Sequence, residues 1–153
     1  MTEAIVSPDP NDADATAGAA TRCPIRIGRR SAGLLRLVFG VTPDRAWATA
    51  DAREIVVRFG RFELRVPTGT VTRWRIEGPW RWITAVGVRR SLRHGDITFA
   101  GSPRGGVRLD FGTPVRWTRF RVPAIYVGVE DLEGFAARLV ALGIPGEDAR
   151  DRQ

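Results

Sequence analysis

EIVVRFGRFELRV, running from Glu54 to Val66, decides the fold. In its first half Ile55, Val57 and Phe59 fall on one side of an extended chain. In its second half Phe62, Leu64 and Val66 do the same, while Glu63 and Arg65 face away. The parity changes between the halves, which a single strand cannot accommodate. A two-residue hairpin loop at Gly60-Arg61 resolves it, because Phe59 and Phe62 then stand opposite each other on the same face. Glycine at the first central position suits a type II′ turn, which needs φ > 0 there.

Outward from this hairpin the pattern continues. Val107, Leu109 and Phe111 alternate with Arg108 and Asp110, predicting a strand with one buried face. Asp96–Phe99 precedes it, and Gly101 to Gly106 reads as a hairpin loop between the two. Further strands are predicted at Leu34–Phe39 (Leu35, Leu37 and Phe39 inward), Ala46–Ala50, Val71–Glu77, Trp82–Val86 and Ala124–Val129. One helix is predicted over residues 131–142. Asp131 is its N-cap, Leu132, Phe135, Ala136, Leu139 and Leu142 form its apolar stripe, and Gly143 and Pro145 stop it. Turn signals about every ten residues favour antiparallel sheet over βαβ units. The expected class is therefore mainly β (β+α). Its expected form is an antiparallel, pleckstrin-homology-like barrel or sandwich of about seven strands closed by one C-terminal helix. A lipocalin-like barrel would want more strands, and a helix-grip fold a longer terminal helix and another near the start.

The chain of 153 residues is the size of one domain. All 24 of its basic residues are arginine, and the formal charge is +7. Residues 1–21 carry −4, residues 22–121 carry +14, and residues 122–153 carry −3. Residues 1–30 are expected to form a disordered acidic tail and linker, 31–145 a single β-rich domain, and 146–153 a frayed end. Arginine without lysine has two sources: GC-rich codons, or selection for bidentate recognition of phosphate and carboxylate. A single Cys23 cannot make an intramolecular disulfide, and neither CxxC nor HxxxH spacing occurs. The first residues lack the basic and apolar regions of a signal peptide, and no apolar run approaches the ~20 residues that span a bilayer. The expected location is the cytoplasm, with peripheral attachment to a membrane left open.

The segments Phe59-Gly-Arg-Phe62, Glu77-Gly-Pro-Trp80, Val86-Gly-Val88, Ser91-Leu92, Gly95-Asp-Ile-Thr-Phe99, Gly105-Gly-Val107 and Val129–Phe135 together resemble a group of uncharacterised proteins of high-GC actinobacteria. The resemblance covers roughly residues 33–143. Its motifs are glycine and proline at turns and apolar residues in strands, so it implies no catalytic residue. It does imply the genomic source of the arginine excess.

The chemistry-bearing residues are few. His94 has Asp96 two positions on, a spacing that caps turns more often than it catalyses. Ser91 and Ser102 lack a nucleophile elbow, and the glycine-rich loop lacks the Gly-Lys-Ser/Thr of a P-loop. Nothing beside Cys23 would lower a thiol pKa, and the carboxylates cluster toward the ends. No enzyme activity, cofactor or metal is expected. The remaining signal is arginine interleaved with tryptophan, in Arg73-Trp-Arg-Ile76, Trp80-Arg-Trp82 and Arg116-Trp-Thr-Arg119. On a strand this pattern sends Trp74 and Ile76 to the core and Arg73 and Arg75 to water. Trp80 and Trp82 are the candidate exposed aromatics. Arg89, Arg90, Arg93 and Arg104 are the candidate anion-binding residues of a non-enzymatic binding module. Its partner would be an anionic lipid headgroup or an acidic protein segment. A nucleic acid is the alternative, without a recognisable motif, and a small-molecule-binding barrel is a further one. The strand edge Arg61–Val66 could also pair with a second copy.

Overall fold

The computed structural model describes residues 21–79, 87–91 and 94–152. Trp80, Trp82, Arg93, the strand predicted at Trp82–Val86 and the acidic tail up to residue 20 lie outside the described residues.

The opening hairpin forms as its sequence dictates. β3 (Glu54–Phe59) and β4 (Phe62–Pro67) pair antiparallel, with Phe59 opposite Phe62. Gly60 has φ +62° and Arg61 is not among the positive-φ residues, the mark of a type II′ turn. A Cβ on Gly60 would also meet the Phe39 carbonyl oxygen at 2.1 Å. β2 (Ala46–Ala50) extends the meander, and β1 (Cys23–Pro24) pairs with β2 at the far edge, so the smaller sheet runs β1-β2-β3-β4. β4 is an edge strand, and its Glu63 carbonyl accepts a hydrogen bond from the Trp117 indole at 3.1 Å.

The larger sheet holds β5 (Val71–Glu77), β6 (Gly87–Arg90), β7 (Ile97–Ala100), β8 (Gly106–Trp117), β9 (Phe120–Val127) and β10 (Gly146–Asp148), in the order β10-β5-β8-β9-β7-β6. The expected hairpin between Asp96–Phe99 and Val107–Phe111 does not form. Both edges of β8 are already taken, by β5 and by its own close hairpin partner β9, so β7 lies parallel to β9 instead. The Gly101 to Gly106 segment is thus a crossover rather than a hairpin loop. β8 shifts register between Asp110 and Val115, and such a bulge bends a strand. Beyond the bend Trp117 packs against Phe62 of the smaller sheet, with ring centroids 5.8 Å apart.

The chain is therefore mainly β, but in two packed sheets rather than a closed barrel. Among the described residues there are ten strands, two pairings are parallel, and the helices number two. The second helix is the main correction. Residues Ala32–Phe39 form α1, not a strand. Leu35 and Phe39 are as compatible with i, i+4 as with alternation, and a Leu-Leu-Arg-Leu run favours helix. Leu37, expected inward, is 82% exposed. Gly40 at φ +65° ends α1, its N–H bonding to the Arg36 carbonyl at 3.1 Å. The C-terminal helix, α2, runs Leu132–Ala141, with the Asp131 carboxylate accepting from the Gly134 N–H at 2.9 Å. It buries Leu132, Phe135, Ala136 and Leu139 in one core with residues of both sheets, among them Phe59, Phe99, Leu64 and Ile125.

Both predicted boundaries move outward. Cys23 and Ile25, assigned to the tail and linker, are buried in the core, and Ile25 bridges Val129. Residues 146–148, assigned to a frayed end, form β10 parallel to β5. The cause is Trp74, which is buried as expected and donates its indole N–H to the Ile144 carbonyl at 3.0 Å. A Cβ on Gly146 would lie 2.2 Å from the Trp74 ring, so only glycine lets the two strands close.

Candidate functional site

Two loops meet where β1 leads into α1 and where β7 leaves for β8. Ile27 makes a parallel bridge to Gly101. The Gly101 carbonyl accepts from the Gly28 N–H at 2.7 Å and lies 2.8 Å from the Ser31 hydroxyl, which is buried and also 3.0 Å from the Gly28 carbonyl. A Cβ on Gly101 would meet the Arg26 carbonyl oxygen at 2.5 Å, so this approach requires glycine. The result is a cleft of about 620 Å³ lined by Gly28, Arg29, Arg30, Ser31, Ser102, Pro103 and Arg104.

Arg29, Arg30 and Arg104 are exposed at its walls, and among the described residues no carboxylate pairs with any of them. Some arginines of the two sheets do pair with acids. Arg58 and Arg65 share Glu63, at 3.2 and 2.9 Å, and Arg65 reaches Glu54 at 2.6 Å. Burial alone would raise the Glu63 carboxyl, but hydrogen bonds from Arg65 and Arg58 outweigh it and hold Glu63 below the usual range. On the larger sheet Arg75 and Arg108 stand directly opposite each other. Asp110 lies between them, 3.3 Å from Arg75 and 2.8 Å from Arg108.

The candidate residues are divided by the fold. Arg104 lines the cleft. Arg90, opposite Ile97, lies at the other end of β7 and sits over the Phe120 ring at 4.5 Å, with Arg89 beside it on β6. Arg29 and Arg30 were missed because they were assigned to the linker. Their signal was available, as an Arg-Arg pair between Gly28 and Ser31 with no acid nearby. His94 is exposed, its backbone N–H bonding to Ser91 Oγ, and Asp96 pairs with Arg108 at 2.5 Å rather than with the imidazole. Burial pushes the Cys23 thiol up, which disfavours the nucleophilic thiolate at neutral pH. Among the described residues no three His, Cys, Asp or Glu side chains gather as metal ligands would, and no helix is long and apolar enough to cross a membrane.

Compared with protein-family models, with curated proteins and with solved structures, the chain matches none.

Proposed function

We propose that the protein is a non-enzymatic binding module whose cleft takes a phosphate or carboxylate group presented by a lipid headgroup or an acidic protein segment. One observation carries this reading: three arginines converge on a cleft and keep no carboxylate of their own among the described residues. Their planar donors suit bidentate oxyanions. The surrounding glycine and serine hydrogen bonds hold the two loops together, so the backbone needs little ordering on binding and the cost falls on the arginine side chains. The arginine-for-lysine usage itself we ascribe to genome composition, in line with the resemblance to actinobacterial proteins. A pleckstrin-homology-like identity belongs to the same proposal, supported by the β2–β4 meander and by a C-terminal helix packed on the larger sheet. So does a cytoplasmic location with attachment to a membrane surface.

Titration of the full chain with inorganic pyrophosphate, followed by calorimetry, tests the cleft. Saturable binding that weakens roughly tenfold in Arg29→Ser or Arg104→Ser supports it. Binding indifferent to these changes, or none at low salt, overturns it. A second reading, nucleic-acid binding, draws on the β8–β9 hairpin, where Arg116 stands opposite Arg121 and Thr118 takes φ +53°. It predicts a steep salt dependence lost on Arg116→Ser. Phe120 offers little support as a stacking platform, since Arg90 and Arg119 both lie over its ring, at 4.5 and 5.3 Å. The small-molecule barrel finds no support in an interior occupied by Phe59, Phe99 and Phe135.

A further inference from the structure

Helix α1 reads AGLLRLVF, with Arg36 its one charged residue. Inward it supplies Leu35, fully buried, and the half-buried Phe39. Outward it presents Leu34, Leu37 and Val38, exposed by 56, 82 and 45%. These three lie at i, i+3 and i+4, the spacing of a stripe that ordinarily turns toward a core. Among the described residues, the other large apolar side chain this exposed is Val140, on α2.

The stripe is held firmly at the surface. Gly40 ends the helix, the Arg61 guanidinium donates to the Val38 carbonyl at 2.8 Å, and the Arg61 N–H donates to the Phe39 carbonyl at 3.1 Å. It is also edged by charge of one sign. Arg29 and Arg30 immediately precede α1, Arg36 lies on it, and from Arg22 to Thr42 there is no acidic residue. A second copy docking face to face through α1 would bring these arginines against their own kind. An anionic bilayer complements both features, taking the aliphatic side chains into the acyl boundary and the guanidiniums among its phosphates. At eight residues α1 is roughly 12 Å long, so it would lie along the surface.

We infer that α1 is a membrane-docking helix, with Leu34, Leu37 and Val38 inserted into an anionic bilayer and Arg29, Arg30 and Arg36 on its phosphates. This rests in part on the cleft's reading as an anion site, since Arg29 and Arg30 serve both, and it adds apolar insertion that the cleft does not require.

The test is sedimentation of the full chain with vesicles of phosphatidylcholine alone and with roughly one-third phosphatidylglycerol, beside the pyrophosphate titration. The chain should pellet with the anionic vesicles only. Leu37→Ser should weaken vesicle binding roughly tenfold while leaving both pyrophosphate affinity and thermal stability in place. Arg29→Ser should weaken vesicle and pyrophosphate binding together. Vesicle binding indifferent to Leu37→Ser and Leu34→Ser would overturn the inference and leave the cleft standing. So would a dimer in light scattering that Leu37→Ser converts to monomer, which assigns the stripe to a second copy. Leu37-dependent pelleting without any pyrophosphate binding would instead sink the cleft reading and keep the helix.

Discussion

Arg75 and Arg108 face each other across β5 and β8, and Arg29, Arg30 and Arg104 surround one cleft, yet the two groups are stabilised in different ways. The sheet pair is a like-charge juxtaposition, unfavourable by itself, made tolerable by Asp110 between the guanidiniums and by Asp96 and Glu77 at its ends. Burial would lower Arg108, but hydrogen bonds from Asp96 and Asp110 prevail and hold its guanidinium more firmly protonated than usual. In the cleft no carboxylate intervenes among the described residues, and the side chains are exposed. What is fixed there is the backbone beneath them, through Gly28, Ser31 and Gly101. The same residue type therefore has two roles: in the β5–β8 ladder arginine completes the structure, and at the cleft it remains available to something else. A count of arginines cannot separate these roles, because the difference lies in where the acids are.

Substitutions can break this contrast at either end. The largest effect is expected at Gly101→Val, whose Cβ must displace the Arg26 carbonyl and Ile27 Cα, both on backbone. It should cost about 3 kcal/mol or more, read as a drop in thermal midpoint, and abolish the cleft with it. Asp110→Asn keeps the shape and removes the charge, leaving Arg75 opposite Arg108 without its bridge. A loss of ~1–2 kcal/mol in urea unfolding is expected, and a loss no larger than at an isolated surface acid would show that the ladder is not coupled. Glu63→Gln sharpens the contrast through pH. A depressed carboxyl contributes stability above its ordinary pKa of 4.5, and that contribution disappears as the pH falls through the folded-state value. The variant should therefore be less stable at neutral pH and show a flatter acid limb, while converging with the parent in strong acid. The smallest effect on stability belongs to the cleft. Arg29→Ser, Arg30→Ser and Arg104→Ser should each stay within ~0.5 kcal/mol of the parent, even as pyrophosphate binding weakens. A cleft arginine that proved as costly to remove as Asp110 would make it a structural residue.

Local pattern carried part of this architecture unaided. The Gly60-Arg61 hairpin was legible because a parity change of two apolar runs has one economical solution, and the helix at Leu132–Ala141 because its cap, stripe and stop signals agree. Val71–Glu77 was legible as a strand with Trp74 inward. The failures occurred where local preference was balanced. Leu34–Phe39 satisfies either period, and in the fold it is a helix whose end is held by the Arg61 N–H on the Phe39 carbonyl. For the site, Arg104 was identified and Arg29 and Arg30 were not, because a segment without strand-length periodicity reads as linker until its bridges to Val129 and Gly101 exist.

Residue order thus suffices for what neighbouring residues decide: turn chemistry, caps, the apolar face of a strand and the segregation of acids to the two ends. Which strands become neighbours was settled only in three dimensions, by the occupied edges of β8, which sent β7 to a parallel partner, and by Trp74, which drew β10 onto the sheet. Those long-range pairings bring residues 28–31 against 101–104, some 70 positions apart, and leave Leu34, Leu37 and Val38 of α1 exposed among the described residues. Side-chain periodicity acts over a few residues, whereas a cleft and an exposed apolar stripe arise from packing among segments distant in the chain.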